Sequence, residues 1–288
     1  MNSTPTRYFW ISCIALCALS RGLCADEPDG VTLPQRNLKR IVERQKIILD
    51  NANKGGETLD VESIRVQLQE VCHEYDLLVH DSPNFAAGYA SYGYLLSKLG
   101  MQKEAAMMLL KANSLDPDIP LVKNQIGNYL AEEGRPLEAI NYYIAAIKLA
   151  PDQPLYHYQL GSLLYEARND FIKKGIYTRP QLDETMLSAF KKAAELAPER
   201  IEFTYRYAEA FYDLEKPDWP GALIQWAHLE EKAKTNLERE TMRLHAVNVL
   251  MKDNRYDHAS LLIRTISEPQ LDKQKQKLIT ELNRLLKK

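Results

Sequence analysis

Hydrophobic residues recur along most of the chain every three or four positions, the spacing that places side chains on one face of an α-helix. From Asn37 onward these runs are separated by short breaks that contain glycine or proline, such as Gly55-Gly56 and Ser82-Pro83. Leucine and alanine are abundant and valine is scarce, which favours helices over strands. The pattern therefore predicts an all-α protein of about six helical hairpins over residues 37–288.

Small and bulky residues recur in columns that are 34 positions apart. Small residues are needed where two helix axes cross closely, because a side chain there would push the helices apart. Bulky residues fill the space between one helical pair and the next, so no single pair can bury its apolar face alone. The columns include Gly93, Gly127 and Gly161; Tyr92, Ile126 and Leu160; Leu96, Leu130 and Leu164; Ala105 and Ala139; Ala112 and Ala146; and Pro117 and Pro151.

The columns resemble the tetratricopeptide repeat, whose pattern combines a large apolar residue, Leu-Gly and Tyr with a later Ala, aromatic, Ala and Pro. Tyr89, Tyr92, Gly93 and Leu96 match the first half of this pattern, and Ala105, Leu109, Ala112 and Pro117 match the second. The resemblance implies a right-handed α-solenoid of about six antiparallel helical hairpins with a C-terminal capping helix. Gly100 and Gly134 are then expected to close the first helices of two repeats in a left-handed conformation.

The predicted organisation is a signal peptide over residues 1–25, a linker over 26–36 and a repeat domain over 37–288. Its clearest repeats cover residues 86–117, 118–151, 152–198, 201–232 and 240–270, followed by a cap over 271–288. The third repeat exceeds the 34-residue period by about 13 residues, which fall around residues 168–183. This insertion is either a functional loop or a longer first helix with a loop packed on its neighbours.

The N-terminal segment has the features of a secretory signal peptide. Arg7 precedes an apolar run from Tyr8 to Leu19, and Leu23-Cys24-Ala25 precedes an acidic start at Asp26. The run is too short to cross a bilayer as a helix, so a membrane-anchored form is the weaker alternative. Lipid modification is also the weaker alternative, because Arg21-Gly22-Leu23 before Cys24 fits a lipidation site poorly. We therefore expect cleavage near Ala25, a periplasmic or secreted protein, and no transmembrane segment after cleavage.

The tetratricopeptide resemblance places the binding groove on the first helix of each repeat. Tyrosine, asparagine and glutamine recur there; amides can satisfy the backbone of an extended peptide, and tyrosine adds rigid apolar area and a hydroxyl. The predicted function is the binding of a peptide or protein segment in a concave groove. The implied groove residues are Tyr94, Lys98, Asn124, Gln125, Asn128, Tyr158, Gln159, Ser162, Tyr165, Tyr205, Arg206, Glu209 and Tyr212.

A different function remains open from the sequence. The chain could be a structural subunit of an envelope assembly, such as a secretion, pilus or outer-membrane apparatus. Such a subunit would bind its neighbours through its convex face or through the insertion, and the groove would not be needed.

Charge and motif content exclude several other classes of function. A formal net charge of −2 lacks the basic excess that nucleic-acid binding requires. The six histidines form neither a HExxH motif nor zinc-ligand spacing, and there is no glycine-rich phosphate loop. We therefore expect no catalytic residues, no metal and no cofactor. With cleavage after Ala25, Cys72 would be the single remaining cysteine, which rules out an internal disulfide.

Overall fold

The computed structural model describes residues 30–54 and 60–287, and within these ranges every regular element is helical. The all-α repeat fold predicted from the sequence is confirmed. None of the described helices is both long enough and apolar enough to cross a bilayer. The helices are α1 (Leu33–Lys54), α2 (Val61–Asp81), α3 (Ala86–Lys98), α4 (Gln102–Leu115), α5 (Pro120–Glu132), α6 (Pro136–Leu149), α7 (Pro154–Glu166), α8 (Arg168–Lys173), α9 (Arg179–Leu196), α10 (Ile201–Ala210), α11 (Trp219–Lys232), α12 (Asn236–Lys252), α13 (Tyr256–Ile263) and α14 (Asp272–Leu285). Short 3₁₀ turns cover Phe211–Asp213 and Pro269–Leu271.

The chain divides into two compact units, and the division falls within α5. The N-terminal unit ends at Tyr129 and the C-terminal unit begins at Leu130.

In the N-terminal unit, α1 packs against α2 and α3 packs against α4. The rings of Tyr75 and Tyr92 stack with centroids 5.2 Å apart, joining α2 to α3. A Cβ atom on Gly93 would lie 2.8 Å from Cγ of Leu109 and 3.1 Å from the carbonyl oxygen of Ala105. The close helix crossing expected at this column is therefore present between α3 and α4.

The C-terminal unit also contains packed helices that cross closely at a glycine. Helix α7 packs against α9, α10 against α11, and α12 against α11 and α13. A Cβ atom on Gly161 would lie 2.9 Å from the ring of Phe190. Helices α7 and α9 therefore also cross closely at a position where α7 has no side chain. The last helix, α14, packs on α12 and α13, burying Leu282 and leaving a charged face exposed.

Left-handed residues close the first helices of several repeats, as the sequence predicts. Gly100 has a φ of 76° and Gly134 a φ of 71°. Asn254, in the turn between α12 and α13, has a φ of 60°, in keeping with the tolerance of asparagine for this conformation. The turns at Gly100 and Asn254 each reverse the chain between two helices that pack together.

The insertion is a short helix and a tight turn, and it does not lengthen α7. Helix α7 ends at Glu166, and α8 occupies Arg168–Lys173. Gly175, with a φ of 67°, closes α8, and the backbone N–H of Ile176 donates to the carbonyl of Phe171 at 3.0 Å. Thr178 then caps α9, whose first turn carries the remainder of the insertion. Because the ring of Phe171 is fully buried and meets Tyr177 edge-on at 6.0 Å, the insertion is anchored to the unit.

Candidate functional site

The predicted groove residues of the N-terminal unit are mostly enclosed. Tyr94, Asn124 and Gln125 are buried, whereas Lys98 is exposed and Asn128 is half-buried. Residues of a surface groove are expected to face solvent, and these three do not. The physical reason is that residues 90–96 of α3 and 124–127 of α5 are all buried, so neither helix has an open side at this level. Their role in binding stays a prediction.

Two contacts on α3 involve the predicted groove residues. The hydroxyl of Ser97 donates to Oε1 of Gln125 at 3.4 Å, and Nζ of Lys98 lies 5.3 Å from the centre of the Tyr94 ring. Both side-chain amide atoms of Asn124 are buried and have no hydrogen-bond partner in the part of the chain that the structure describes. A buried amide without partners costs about 1–3 kcal/mol, so Asn124 weakens the fold where it stands.

The predicted groove residues of the C-terminal unit are more accessible. They lie on α7, on α10 and on the 3₁₀ turn that follows α10, and all are half-buried except Tyr165, whose exposure is 41%. Aromatic contacts show that the two helices are neighbours, since the rings of Tyr158 and Phe203 are 4.9 Å apart. We call this surface the α7/α10 face; its members are Tyr158, Gln159, Ser162, Tyr165, Tyr205, Arg206, Glu209 and Tyr212.

Arg206 is the central charged group of the α7/α10 face. Its guanidinium carbon lies 4.6 Å from the centre of the Tyr165 ring and 4.4 Å from that of Phe190. Nη2 of Arg206 is 2.9 Å from Oδ2 of Asp213, and its side chain is 16% exposed. No other hydrogen bond from this guanidinium occurs within the described residues. It is therefore fixed in place by stacking and one ion pair, and it keeps several unused donors.

The ring of Tyr165 is in contact with two guanidinium groups. In addition to Arg206, the guanidinium carbon of Arg168 lies 5.5 Å from its ring centre. Burial raises the pKa of the neighbouring Glu166, although Arg206 acts in the opposite direction. The result is an exposed aromatic ring bordered by two arginines and a carboxyl group.

Tyr205 and Tyr212 both form hydrogen bonds with His245, a half-buried residue whose role the sequence did not reveal. The hydroxyl of Tyr205 lies 2.8 Å from Nε2 of His245, and that of Tyr212 donates to the backbone carbonyl of His245 at 3.1 Å. Trp226 stacks on the imidazole with centroids 4.0 Å apart. Burial lowers the pKa of His245 to about 4, so the ring is neutral at physiological pH. These two tyrosines are consequently oriented by the core beneath them.

Three tyrosines of the α7/α10 face, Tyr158, Tyr205 and Tyr212, carry neutral hydroxyl groups. Burial raises the pKa of Tyr158, Tyr205 and Tyr212 above the ordinary value. The hydroxyl of Ser162 is already used within its own helix, where it donates to the carbonyl of Tyr158 at 3.0 Å. The face can therefore offer aromatic surface, guanidinium donors and carboxylate acceptors to a ligand.

Sequence analysis missed Asp213, His245 and Trp226 as parts of this site. Trp226 falls in the bulky column that also contains Leu109, and this marks it as a core residue. Nothing in the spacing of Asp213 or His245 distinguishes either from a solvated polar residue. No group of three or more potential metal ligands occurs among residues 30–54 and 60–287.

A family model described as tetratricopeptide repeat matches residues 86–119 and 122–153. Two repeats of this kind are thus identified in the chain, in agreement with the pattern in the sequence. Such repeats are typically non-catalytic scaffolds that bind protein or peptide partners. No curated protein matches the chain by sequence.

Several solved structures are similar to the chain in fold. The structure of Naa15/Naa10 bound to HypK-THB has a TM-score of 0.55 and 13% identity, over 88% of this chain and 35% of that one. MamA from Desulfovibrio magneticus RS-1 has a TM-score of 0.47 and 18% identity, over 67% of this chain and 98% of that one. YrrB, a TPR protein with an unusual peptide-binding site, has a TM-score of 0.41 and 20% identity, over 75% of this chain and 93% of that one. At these identities the similarity concerns the fold alone.

Proposed function

We propose that the chain is an exported, non-catalytic interaction module that binds an extended segment of a partner protein on the α7/α10 face. The observation that carries this proposal is the exposed ring of Tyr165, which is in contact with the guanidinium groups of Arg168 and Arg206. Tyrosine and arginine are enriched among the residues that dominate binding energy at protein interfaces. Here both types stand side by side in fixed positions.

The chemistry of the face suits an extended peptide. Arg206 has unused N–H donors that can bind the carbonyl oxygens of a peptide backbone. The ring of Tyr165 offers apolar contact area, and the carboxyl group of the adjacent Glu166 is an exposed acceptor. Because Arg206 is already stacked and paired with Asp213, little side-chain freedom is lost when a ligand binds.

The proposal can be tested with the full chain and a library of random linear peptides. A peptide selected by the wild-type protein is titrated into the Tyr165→Ala and Arg206→Ala variants. We expect each substitution to weaken binding by about tenfold or more, since truncating a dominant interface residue costs about 2 kcal/mol.

Tyr256→Ala and Arg264→Ala are matched controls, because they remove a tyrosine and an arginine from the region of α13. Both control variants should bind the selected peptide as wild type does. Equal affinity of all four variants for the peptide would contradict the proposal.

Export is part of the proposal and rests on the sequence, because the predicted signal peptide, residues 1–25, lies outside the described residues. Arg7, the apolar run and the Ala25 boundary support it. Cell fractionation and the mass of the purified protein test it directly. A mature chain that begins at Asp26 in an extracytoplasmic fraction is expected; an intact N-terminus in the cytoplasm would refute export.

A second candidate function is an envelope-assembly subunit that binds through the insertion. One observation favours it: Ile176 is 49% exposed at the turn closed by Gly175, directly after the exposed Lys173 and Lys174. An apolar side chain on a rigid turn can act as an interface anchor. Partners cross-linked to the mature protein would be lost on Ile176→Ala and kept on Tyr165→Ala if this alternative held.

A further inference from the structure

Two residues that belong to the insertion hold the turn after α10. Asp183 is buried, and its Oδ1 is 2.8 Å from Nε of Arg179. The other oxygen, Oδ2, accepts the backbone N–H of Glu215 at 2.7 Å. Nη2 of Arg179 donates to the backbone carbonyl of Asp213 at 2.7 Å. The first turn of α9 is thereby bonded to both ends of the segment 213–215.

That segment carries the carboxylate that pairs with Arg206. Oδ2 of Asp213 accepts from Nη2 of Arg206, whose guanidinium then lies over the Tyr165 ring. An unbroken series of contacts therefore runs from Asp183 and Arg179 through Asp213 to Arg206 and Tyr165. Neither Arg179 nor Asp183 is within the α7/α10 face itself.

Burial of the Asp183 carboxylate costs desolvation free energy. The hydrogen bonds that this carboxylate accepts are more than packing of the helix alone would require. Replacing a buried ion pair by apolar residues is often neutral or stabilising, so such a pair is weak support for a purely stabilising role. A carboxylate that accepts from a guanidinium and from a backbone N–H does fix geometry, because charge-assisted hydrogen bonds are short and directional. Arg179 adds specificity, since its planar fork reaches a carboxylate and a carbonyl together.

We infer that Arg179 and Asp183 are positioning residues that orient Arg206 against Tyr165 through the turn at Asp213. The insertion then has the role of holding the geometry of the α7/α10 face. The inference rests on the proposed function only in what it predicts for ligand affinity. The orientation itself is a property of the unliganded protein. Preorganisation of this kind raises affinity because the ordering of Arg206 does not have to be achieved during binding.

A double-mutant cycle in the full chain tests the inference. The probe is the peptide selected by the wild-type protein, and the variants are Arg179→Ala, Arg206→Ala and the combination of both. We expect Arg179→Ala to weaken binding by about tenfold in the wild-type background and to have no further effect in the Arg206→Ala background. Equal losses in both backgrounds would show that Arg179 does not act through Arg206 and would overturn the inference.

A second measurement needs no ligand. The ring proton shifts of Tyr165 are recorded by NMR on tyrosine-labelled full chain, for wild type, Arg179→Ala and Asp183→Asn. We expect Arg179→Ala to move the Tyr165 signals, because the Arg206 guanidinium at the ring is displaced. Asp183→Asn should move them as well, in part through Arg168, whose Nη2 is 3.9 Å from Oδ1 of Asp183. Unchanged Tyr165 signals in both variants would overturn the inference, whatever the peptide titrations give. If instead the signals move but Arg206→Ala does not affect peptide affinity, the proposed function fails and the positioning role stands.

Arg243→Ala is the matched control for a purely structural effect. Arg243 also joins a carboxylate to a backbone carbonyl, since Nε is 2.7 Å from Oε1 of Glu230 and Nη1 donates to the carbonyl of Thr265 at 3.4 Å. Its loss should leave peptide affinity and the Tyr165 signals unchanged.

Arg179→Lys replaces Arg179→Ala if the alanine variant fails to fold. We expect Arg179→Lys to bind the peptide with an affinity below that of wild type, because lysine can make one of the two contacts but not both. Full wild-type affinity and Tyr165 signals in Arg179→Lys, or loss of affinity in Arg243→Ala, would contradict the inference.

Discussion

The first helices of the two units carry residues of the same repeat register, yet they differ in what they expose and in what holds them. In the N-terminal unit, Tyr94, Asn124 and Gln125 are buried, and the amide of Asn124 has no partner among the described residues. In the C-terminal unit, Tyr165 and Arg206 remain accessible and are fixed by stacking and an ion pair. The comparison teaches that a repeat column specifies where a side chain points, whereas the neighbouring helices decide whether it reaches solvent.

The units also differ in how their turns are secured. Among the described residues, the buried charged side chains are Asp183 and Glu240, and both belong to the C-terminal unit. Each accepts backbone N–H groups from a distant turn: Asp183 from Glu215, and Glu240 from Ser267 and Glu268. The buried polar residues of the N-terminal unit are all uncharged. The C-terminal unit therefore has turns that are fixed by tertiary hydrogen bonds, which suits a surface that must keep its geometry.

The largest expected effect on stability concerns the close helix crossings at glycine, which both units contain. Gly93→Leu and Gly161→Leu place a side chain where helices cross, and each should lower the free energy of unfolding by about 1–3 kcal/mol. The loss should be greater for Gly93, because its new Cβ meets a backbone carbonyl as well as Leu109, whereas at Gly161 it meets only the Phe190 ring. Urea unfolding measures both. A negligible change at either glycine would mean that the repeat register is wrong in that unit.

A smaller effect is expected from the carboxylate that fixes a turn of the C-terminal unit. Burial alone would raise the pKa of Glu240, but hydrogen bonds from Glu268, Ser267 and Asn236 outweigh it, and the pKa lies below the ordinary value of 4.5. The stability that this carboxylate contributes is therefore present above pH 4.5 and is lost as the pH falls through the lowered pKa. Glu240→Gln should cost about 2 kcal/mol at neutral pH, because the bonds involve a charged acceptor.

Denaturant unfolding of wild type and Glu240→Gln across this pH range provides the measurement. Their difference in stability should shrink as the pH falls below 4.5. A difference that is independent of pH would show that the Glu240 charge contributes nothing to holding the turn.

The smallest effect has the opposite sign and concerns the N-terminal unit. Asn124→Leu removes a buried amide that lacks hydrogen-bond partners and replaces it with an apolar side chain of similar size. We expect the protein to become more stable by up to about 1 kcal/mol. Thermal unfolding checks this, with Ser97→Ala as a control nearby on α3. A clear loss of stability on Asn124→Leu would indicate that the amide is satisfied in solution.

Local features of the fold were predictable from the sequence because they depend on spacing within a repeat. The helices, the glycine crossings at Gly93 and Gly161 and the left-handed turns at Gly100 and Gly134 all follow from the 34-residue period. The accessible part of the site was predicted for the same reason, since Tyr165 and Arg206 occupy columns of the resembled repeat.

Features that arise from tertiary packing were not predictable. The burial of Asn124 depends on α3 and α5 being enclosed on every side, which the pattern of one helix does not reveal. The partners of Arg206 are a further example. Asp213 and Asp183 look like ordinary polar residues in the sequence, and only the path of the insertion brings Arg179 to the turn that carries Asp213.

The central claim is that the C-terminal face binds the partner while the corresponding residues of the N-terminal unit do not. Isothermal titration of the selected peptide into the full chain tests it, with Tyr165→Ala compared against the Asn124→Ala/Asn128→Ala double variant. The account predicts a loss of about tenfold or more in affinity for Tyr165→Ala and wild-type affinity for the double variant. The reverse result, with affinity lost only in the asparagine variant, would contradict it and move the binding site to the N-terminal unit.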